Sequence, residues 1–243
     1  MKKLLLPLAL LGALALAGGV DDEVLTIWPK DHGTFLFISA QDVVGDDVPR
    51  RISRMMADYF GMDIQFRRGR APDVRSVAEA LTKLGARGAI WIVDDPLLPL
   101  TLGACEDGWG FVNVRAAMAD KPAKAVLEAR VHKLLLRLFG DIHNARQTTM
   151  VPHCVMSKAV GLKGLDALDC SEYSPEPVGK IMDYMAEAGY KPCHVGTYAD
   201  ACAEGWAPPP TNAAQKAVWD RVHQLPSRPI PLRRPEAGKG RGK

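Results

Sequence analysis

Three short strand-like segments, two of them apolar and the one at residues 62–67 alternating, are separated by two amphipathic segments, and this pattern constrains the fold of residues 34–93 more than any other feature of the chain. Residues 34–40, 62–67 and 89–93 have the composition of β-strands, and the last is apolar throughout, as in the interior of a sheet. The two segments between them repeat apolar residues at helical spacing: Ile52, Met55, Met56 and Tyr59, then Val77, Ala80, Leu81 and Leu84. This alternation predicts a parallel sheet with right-handed helical crossovers.

A long amphipathic helix is predicted over residues 127–143, LEARVHKLLLRLFGDIH. Its apolar positions form one stripe: Leu127, Val131, Leu134, Leu135 and Leu138. Gly140 is expected to end the helix in the left-handed conformation. Before this helix, residues 109–114 are predicted to form an edge strand, and the chain between His143 and Ser174 is expected to be irregular. Further helices are predicted from Pro175 to about Gly189 and over residues 213–225, with residues 193–202 as a loop.

The end of the long helix resembles part of a known zinc motif. Metzincin peptidases carry H-E-x-x-H-x-x-G-x-x-H followed by a Met-turn, and KLLLRLFGDIH at residues 133–143 matches its glycine and its last histidine. Residues 154–156, C-V-M, follow it, and IWIVDDPLLPL and WGFVNVRAAM precede it. In these features residues 33–185 resemble the archaemetzincin family, peptidase group M54.

The resemblance implies a fold and a set of site residues. The implied fold is a metzincin-like α/β domain: a twisted, mostly parallel sheet packed with helices, a long central helix under the cleft, and a smaller C-terminal helical part. Gly140 and His143 take the positions of the motif's glycine and third ligand, and Met156 takes that of the Met-turn residue. Lys133, Leu134 and Arg137 stand where the family has a ligand, the general base and a second ligand.

Those three replacements argue against zinc chemistry. A lysine ammonium and an arginine guanidinium offer no lone pair to a metal, and leucine cannot act as a base. Our hypothesis is that Lys133 and Arg137 occupy the former metal position and are held there by Asp94, Asp95 or Asp141. A plain solvated helix face is the alternative interpretation. No cofactor is therefore expected, with zinc as the alternative.

Metal binding through recruited residues would have to use His132, His143, His153 or Cys154, and His153-Cys154 together with His143 is the cluster of such residues in the sequence. The resemblance also bears on the cysteines. In the family, four cysteines hold a structural zinc; Cys154 and Cys170 match two of them, while Asn144 and Tyr173 replace the others. The resemblance thus implies that Cys154 and Cys170 lie close enough for a disulfide, which would contribute about 3 kcal/mol.

A second, local disulfide between Cys193 and Cys202 would leave Cys105 unpaired. Both bonds would suit an oxidising compartment, and residues 1–19 predict export. Lys2 and Lys3 precede an apolar run and the small-residue cleavage site Ala15-Leu16-Ala17, as in a signal peptide. No membrane span is expected after its removal.

The net charge of +3 does not indicate nucleic-acid binding, because residues 226–243 alone hold six lysines and arginines against one glutamate. This Pro- and Gly-rich tail is predicted to be disordered. The remaining chain is divided into a metzincin-like domain, 20–205, and a helix, 206–225. Within that domain, residues 20–140 form the α/β part and residues 141–205 the C-terminal part.

Three functions follow from these features. The first is an exported pseudoprotease that binds a peptide or protein in the old cleft without hydrolysing it. The second is an active zinc metallopeptidase with displaced ligands, and the third is a purely structural exported domain. Zinc stoichiometry separates the second from the others.

Overall fold

The computed structural model describes residues 24–29, 31–39, 44–97, 101–145 and 153–224. Its strands are β1 (Val24–Ile27), β2 (Thr34–Ser39), β3 (Asp63–Arg68), β4 (Gly88–Val93), β5 (Gly103–Glu106), β6 (Trp109–Asn113) and β7 (His194–Thr197). Its helices are α1 (Asp47–Phe60), α2 (Val77–Leu84), α3 (Val114–Ala117), α4 (Lys124–Ile142), α5 (Gly161–Ala167), α6 (Pro175–Glu187), α7 (Tyr198–Glu204) and α8 (Ala213–Gln224). The predicted signal peptide and the predicted disordered tail lie outside these residues.

The main sheet has five strands in the order β3-β2-β4-β6-β5, all parallel except β5. The predicted fold class, α/β with a mostly parallel sheet packed with helices, is confirmed. Each inner strand is apolar on both faces because both faces are covered. Phe35 and Phe37 point into the core under α1 and α4, whereas Leu36 and Ile38 pack against α2 on the other face.

The predicted edge strand is wrong. β6 lies inside the sheet, and β5, which was not predicted, forms the edge. The two strands make a hairpin around Asp107 and Gly108, and Gly108 has the positive φ of 78° that such tight turns require. An Asp-Gly pair between short strands is a hairpin signal that the sequence does contain.

The end of the long helix also differs from the prediction. Gly140 is helical, α4 continues to Ile142, and the first residue with a positive φ is Asn144. A Cβ atom on Gly140 would stand 2.7 Å from the Met156 Sδ atom and 2.9 Å from its Cε atom. The glycine is therefore needed for close packing and not for a left-handed turn.

Two further segments expected to lack regular structure contain helices. α5 lies in the stretch between His143 and Ser174, and β7 and α7 occupy most of residues 193–202. α7 begins with a capping box, in which the Thr197 hydroxyl and the Asp200 carboxylate each accept a backbone N–H of the other residue.

The structure divides the chain into two compact units, residues 28–194 and residues 1–27 with 195–243. This grouping differs from the division at residues 205 and 206 drawn from the sequence. In the smaller unit, Tyr198, Cys202 and Val218 form a small core. No helix in the described part of the chain is long and apolar enough to cross a bilayer.

Candidate functional site

One side of α4 carries three cations at positions 130, 133 and 137, spaced so that they lie on one face of the helix. We refer to Arg130, Lys133 and Arg137 as the cation row. The last two stand where the family motif has its first two ligands. All three side chains reach into the segment that follows α4, and each finds oxygen atoms there.

Arg130 is almost fully buried, with 3% of its side chain exposed. Its guanidinium donates to both carboxylate oxygens of Asp120 (2.6 and 2.8 Å) and of Asp166 in α5 (2.6 and 2.8 Å). It also donates to the Ala117 carbonyl at 2.7 Å. These bonds hold the pKa of each carboxyl below its usual range. Arg130 thereby ties α4 to α5 and to the turn after α3.

Lys133 binds the last carbonyls of α5. Its Nζ atom donates to the Leu168 oxygen at 2.6 Å and to the Leu165 oxygen at 3.1 Å. Carbonyls at a helix C-terminus have no partners within the helix and carry partial negative charge, so an ammonium is well matched to them.

Arg137 binds the two carbonyls that flank Met156. Its guanidinium donates to the Val155 oxygen at 2.5 Å and to the Ser157 oxygen at 2.7 Å. The residue is buried, and that burial lowers its pKa, while the nearby Asp141 carboxylate acts in the opposite direction. An arginine remains protonated even so.

The carboxylates proposed to hold these cations have other roles. Asp94 makes a two-pronged ion pair with Arg115 (2.6 and 3.0 Å). Asp95 accepts the Leu97 N–H at 2.8 Å. Lys133 and Arg137 are instead held by backbone carbonyls, and the Asp141 carboxylate adds a favourable charge near Arg137.

Met156 and Tyr173 pack together on Gly140. The Met156 side chain is fully buried against Gly140, and a Cβ atom at that position would lie 3.4 Å from the Tyr173 ring. The Tyr173 hydroxyl donates to the Leu136 carbonyl at 2.5 Å, and burial raises its pKa. The C-V-M segment therefore contacts α4 in two ways, through apolar packing of Met156 on Gly140 and through the hydrogen bond from Arg137 to the Val155 carbonyl.

His143 lies apart from the cation row. It is six positions after Arg137, which at 3.6 residues per turn places it on a different side of α4. Its Nδ1 atom is 2.7 Å from the Phe139 oxygen, and its ring is surrounded by Phe35, Phe139, Tyr184 and Tyr190, at centroid distances of 4.2–6.1 Å. Burial lowers its pKa to about 4.

The weaker metal candidates are also dispersed. His153 is 72% exposed and pairs with Asp169 at 2.7 Å. Cys154 is buried, and its Sγ atom accepts the N–H groups of Met156 (3.4 Å) and Ser174 (3.3 Å). Among the residues that the structure describes, no three His, Cys, Asp or Glu side chains form a group that could hold a metal ion.

The structure contains neither of the two predicted disulfides. Cys154 is turned toward backbone N–H groups, whereas the Cys170 thiol faces the Glu172 carbonyl at 3.8 Å. Cys202 is buried beside Tyr198 in the smaller unit, and Cys193 belongs to the larger one.

Arg130 and its partners Asp120 and Asp166 are not among the site residues predicted from the sequence. The spacing of Arg130, Lys133 and Arg137 on one helix face was a visible signal. The partners were not, because Asp166 lies in a short, glycine-containing helix that was itself not predicted. As a whole, the row can bind oxygen atoms and hold chain segments, but it offers no lone pair to a metal.

Comparisons with known proteins add little to this geometry. No protein-family model and no curated protein matches the chain. Among solved structures, it is similar to a zinc-dependent peptidase from Methanocorpusculum labreanum (strain Z), with 15% sequence identity and a TM-score of 0.46. That match covers 61% of this chain and 100% of the other chain.

Proposed function

We propose that this chain is an exported, non-catalytic relative of archaemetzincins, in which the cation row holds together the region where the family binds zinc. The observation that carries the proposal is the pair of hydrogen bonds from Arg137 to the carbonyls on either side of Met156. A side chain committed to its own backbone in this way cannot take part in activating water.

An active peptidase would need a bound metal or another way to generate a nucleophile, together with a general base. The position of the base is a buried leucine, Leu134, in the apolar core. His143, the remaining residue of the motif, is neutral and enclosed by aromatic rings on another side of the helix. These placements favour a protein without hydrolytic activity.

We propose that the ligand of this pseudoprotease is an extended peptide. Lys133 and Arg137 are not expected to bind this peptide, because both side chains already donate to backbone carbonyls. The supporting feature is instead β5, the antiparallel strand at the end of the sheet, since edge strands can accept a further strand. Peptides enriched from a random library should bind less well to Cys105→Pro than to Cys105→Ala.

The decisive experiment combines metal analysis with a casein-hydrolysis assay on the purified chain. We expect less than a tenth of an equivalent of zinc, roughly background, and no hydrolysis with or without added zinc. One equivalent of zinc that is lost in His143→Ala would contradict the proposal, and so would hydrolysis that a chelator abolishes.

Export is tested separately. When the full chain is expressed in a bacterium, the periplasmic or secreted protein should begin at Gly18, after the Ala15-Leu16-Ala17 site. A product that stays in the cytoplasm with its first residues intact would argue against export and leave the non-catalytic assignment untouched.

A further inference from the structure

A cavity of about 350 Å³ lies beside His143, at the opposite end of α4 from Arg130. Its volume is within the range of small-molecule sites. It is lined by Arg87, Asp107, His143, Tyr184 and Tyr190, which come from four separate parts of the larger unit. The proposed function uses none of these side chains apart from His143, which it treats as a relict.

The Arg87 side chain packs closely against two glycines, Gly33 and Gly189. A Cβ atom on Gly33 would stand 2.5 Å from the Arg87 Cδ atom and 2.6 Å from the Arg87 Nε atom. A Cβ atom on Gly189 would stand 3.3 Å from the Arg87 Nη1 atom. The guanidinium donates to the Ala188 carbonyl at 3.2 Å. Because a guanidinium has five N–H donors, this bond leaves several for a ligand.

Asp107 lies at the lip of the same cavity, in the tight turn between β5 and β6. The segments that carry Arg87 and Asp107 are neighbours in the sheet, since the Ala89 N–H donates to the Gly108 carbonyl at 3.0 Å. Among the described residues, no ion pair within 4.0 Å joins Arg87 to Asp107. A positive and a negative side chain therefore line one cavity and are not ion-paired with each other.

His143 adds an acceptor. A neutral imidazole has one N–H, and because Nδ1 faces the Phe139 carbonyl, that nitrogen carries the hydrogen. Nε2 is then left with a lone pair. The rings of Tyr184 and Tyr190 stand edge-on to this imidazole, at centroid distances of 5.7 and 6.1 Å, and give the cavity aromatic walls.

We infer that this cavity binds a free amino acid in its zwitterionic form, with the carboxylate on Arg87 and the ammonium between Asp107 and His143. A guanidinium favours a carboxylate, while a carboxylate and an imidazole lone pair both favour an N–H donor. The tyrosine rings suit an aromatic or aliphatic side chain. The inference goes beyond the proposed function and does not depend on it, since a catalytically active chain could hold the same ligand.

Calorimetric titration of the full chain with L-phenylalanine tests the inference. N-acetyl-L-phenylalanine lacks the ammonium and L-phenylalaninamide lacks the carboxylate, so each should bind about ten-fold more weakly. Ring signals of His143 in NMR spectra should shift on saturation with L-phenylalanine. These measurements use the unaltered protein and do not depend on whether any variant folds.

Two variants locate the site. Arg87→Met should weaken L-phenylalanine binding about ten-fold or more, and Asp107→Asn by about three- to five-fold, because Asp107 is exposed to water. Arg67→Met is the matched control: Arg67 is also exposed and donates to a carbonyl, that of Leu84, at 3.2 Å. It should leave the affinity unchanged.

Three results would overturn the inference. The first is the absence of saturable binding of L-phenylalanine up to its solubility limit. The second is equal binding of the zwitterion and its two singly charged analogues. The third is an affinity that Arg87→Met, shown to be folded by its melting curve, reduces no more than Arg67→Met does.

Discussion

The two ends of α4 treat polar side chains in opposite ways. Along the cation row, three charged groups are matched to carbonyls and carboxylates on both sides of α4 in the chain, at Ala117 and Asp120 before it and between Val155 and Leu168 after it. At the C-terminal end, His143 is neutral, surrounded by rings and next to a cavity. The comparison shows that one helix can be built into the fold by charge at one end and by aromatic packing at the other.

The largest effect on stability is expected at the buried end of the cation row. Arg130→Met should lower the free energy of unfolding by about 3 kcal/mol, because the Ala117 carbonyl loses its buried donor and α4 loses its tie to α5. The Asp120 and Asp166 carboxylates are about half exposed and are solvated by water in the variant, so they add little to this loss. Urea unfolding gives the value. Lys124→Met, at the exposed Lys124–Glu128 pair, should cost less than about 0.5 kcal/mol.

The His143 end should respond to pH. Its folded-state pKa of about 4 lies below the value near 6.5 of an unfolded histidine, so the unfolded chain takes up the proton first as the pH falls. The stability that is present above pH 6.5 should therefore decline by up to about 3 kcal/mol between pH 6.5 and pH 4. In His143→Phe this slope should disappear. A variant with the same pH profile as the original chain would show that His143 is not buried in its neutral form.

A smaller effect is expected where the cations bind backbone alone. Arg137→Met should cost about 2 kcal/mol, because two carbonyls beside Met156 lose their donor within the protein. Lys133→Met should cost about 1 kcal/mol, since Lys133 is only partly buried. Arg137→Lys is the control that keeps the charge, and it should retain part of the stability. If Arg137→Met and Arg137→Lys unfold at the same urea concentration as the original chain, the row does not stabilise this segment.

The sequence predicted the long periodic elements well. The stripe of α4 identified a helix because the segment is long enough to establish a period, and the short apolar run of β4 identified a strand that is buried on both faces. Short elements escaped: β5 has four residues and α5 has seven, two of them glycine. Their positions depend on tertiary partners such as Arg130 and Lys133, which no local pattern shows.

Gly140 illustrates the limit for the site. A glycine near the end of a helical pattern is read as a left-handed stop, but here it is required by the Met156 sulfur that packs against it. Sequence spacing alone does not separate these two reasons for glycine. Because α4 continues through Gly140 to Ile142, His143 lies on a different side of the helix from Lys133 and Arg137.

Amide hydrogen exchange over residues 153–168 tests the central claim most directly, since the cation row is proposed to hold this segment without metal. Protected amides should include Val155, bonded to the Glu172 carbonyl, and Gly164, bonded to the Val160 carbonyl. We expect a strong chelator to leave their exchange unchanged, and Arg137→Met to increase it about ten-fold or more. Faster exchange in the chelator, restored by zinc and unaffected by Arg137→Met, would contradict the account.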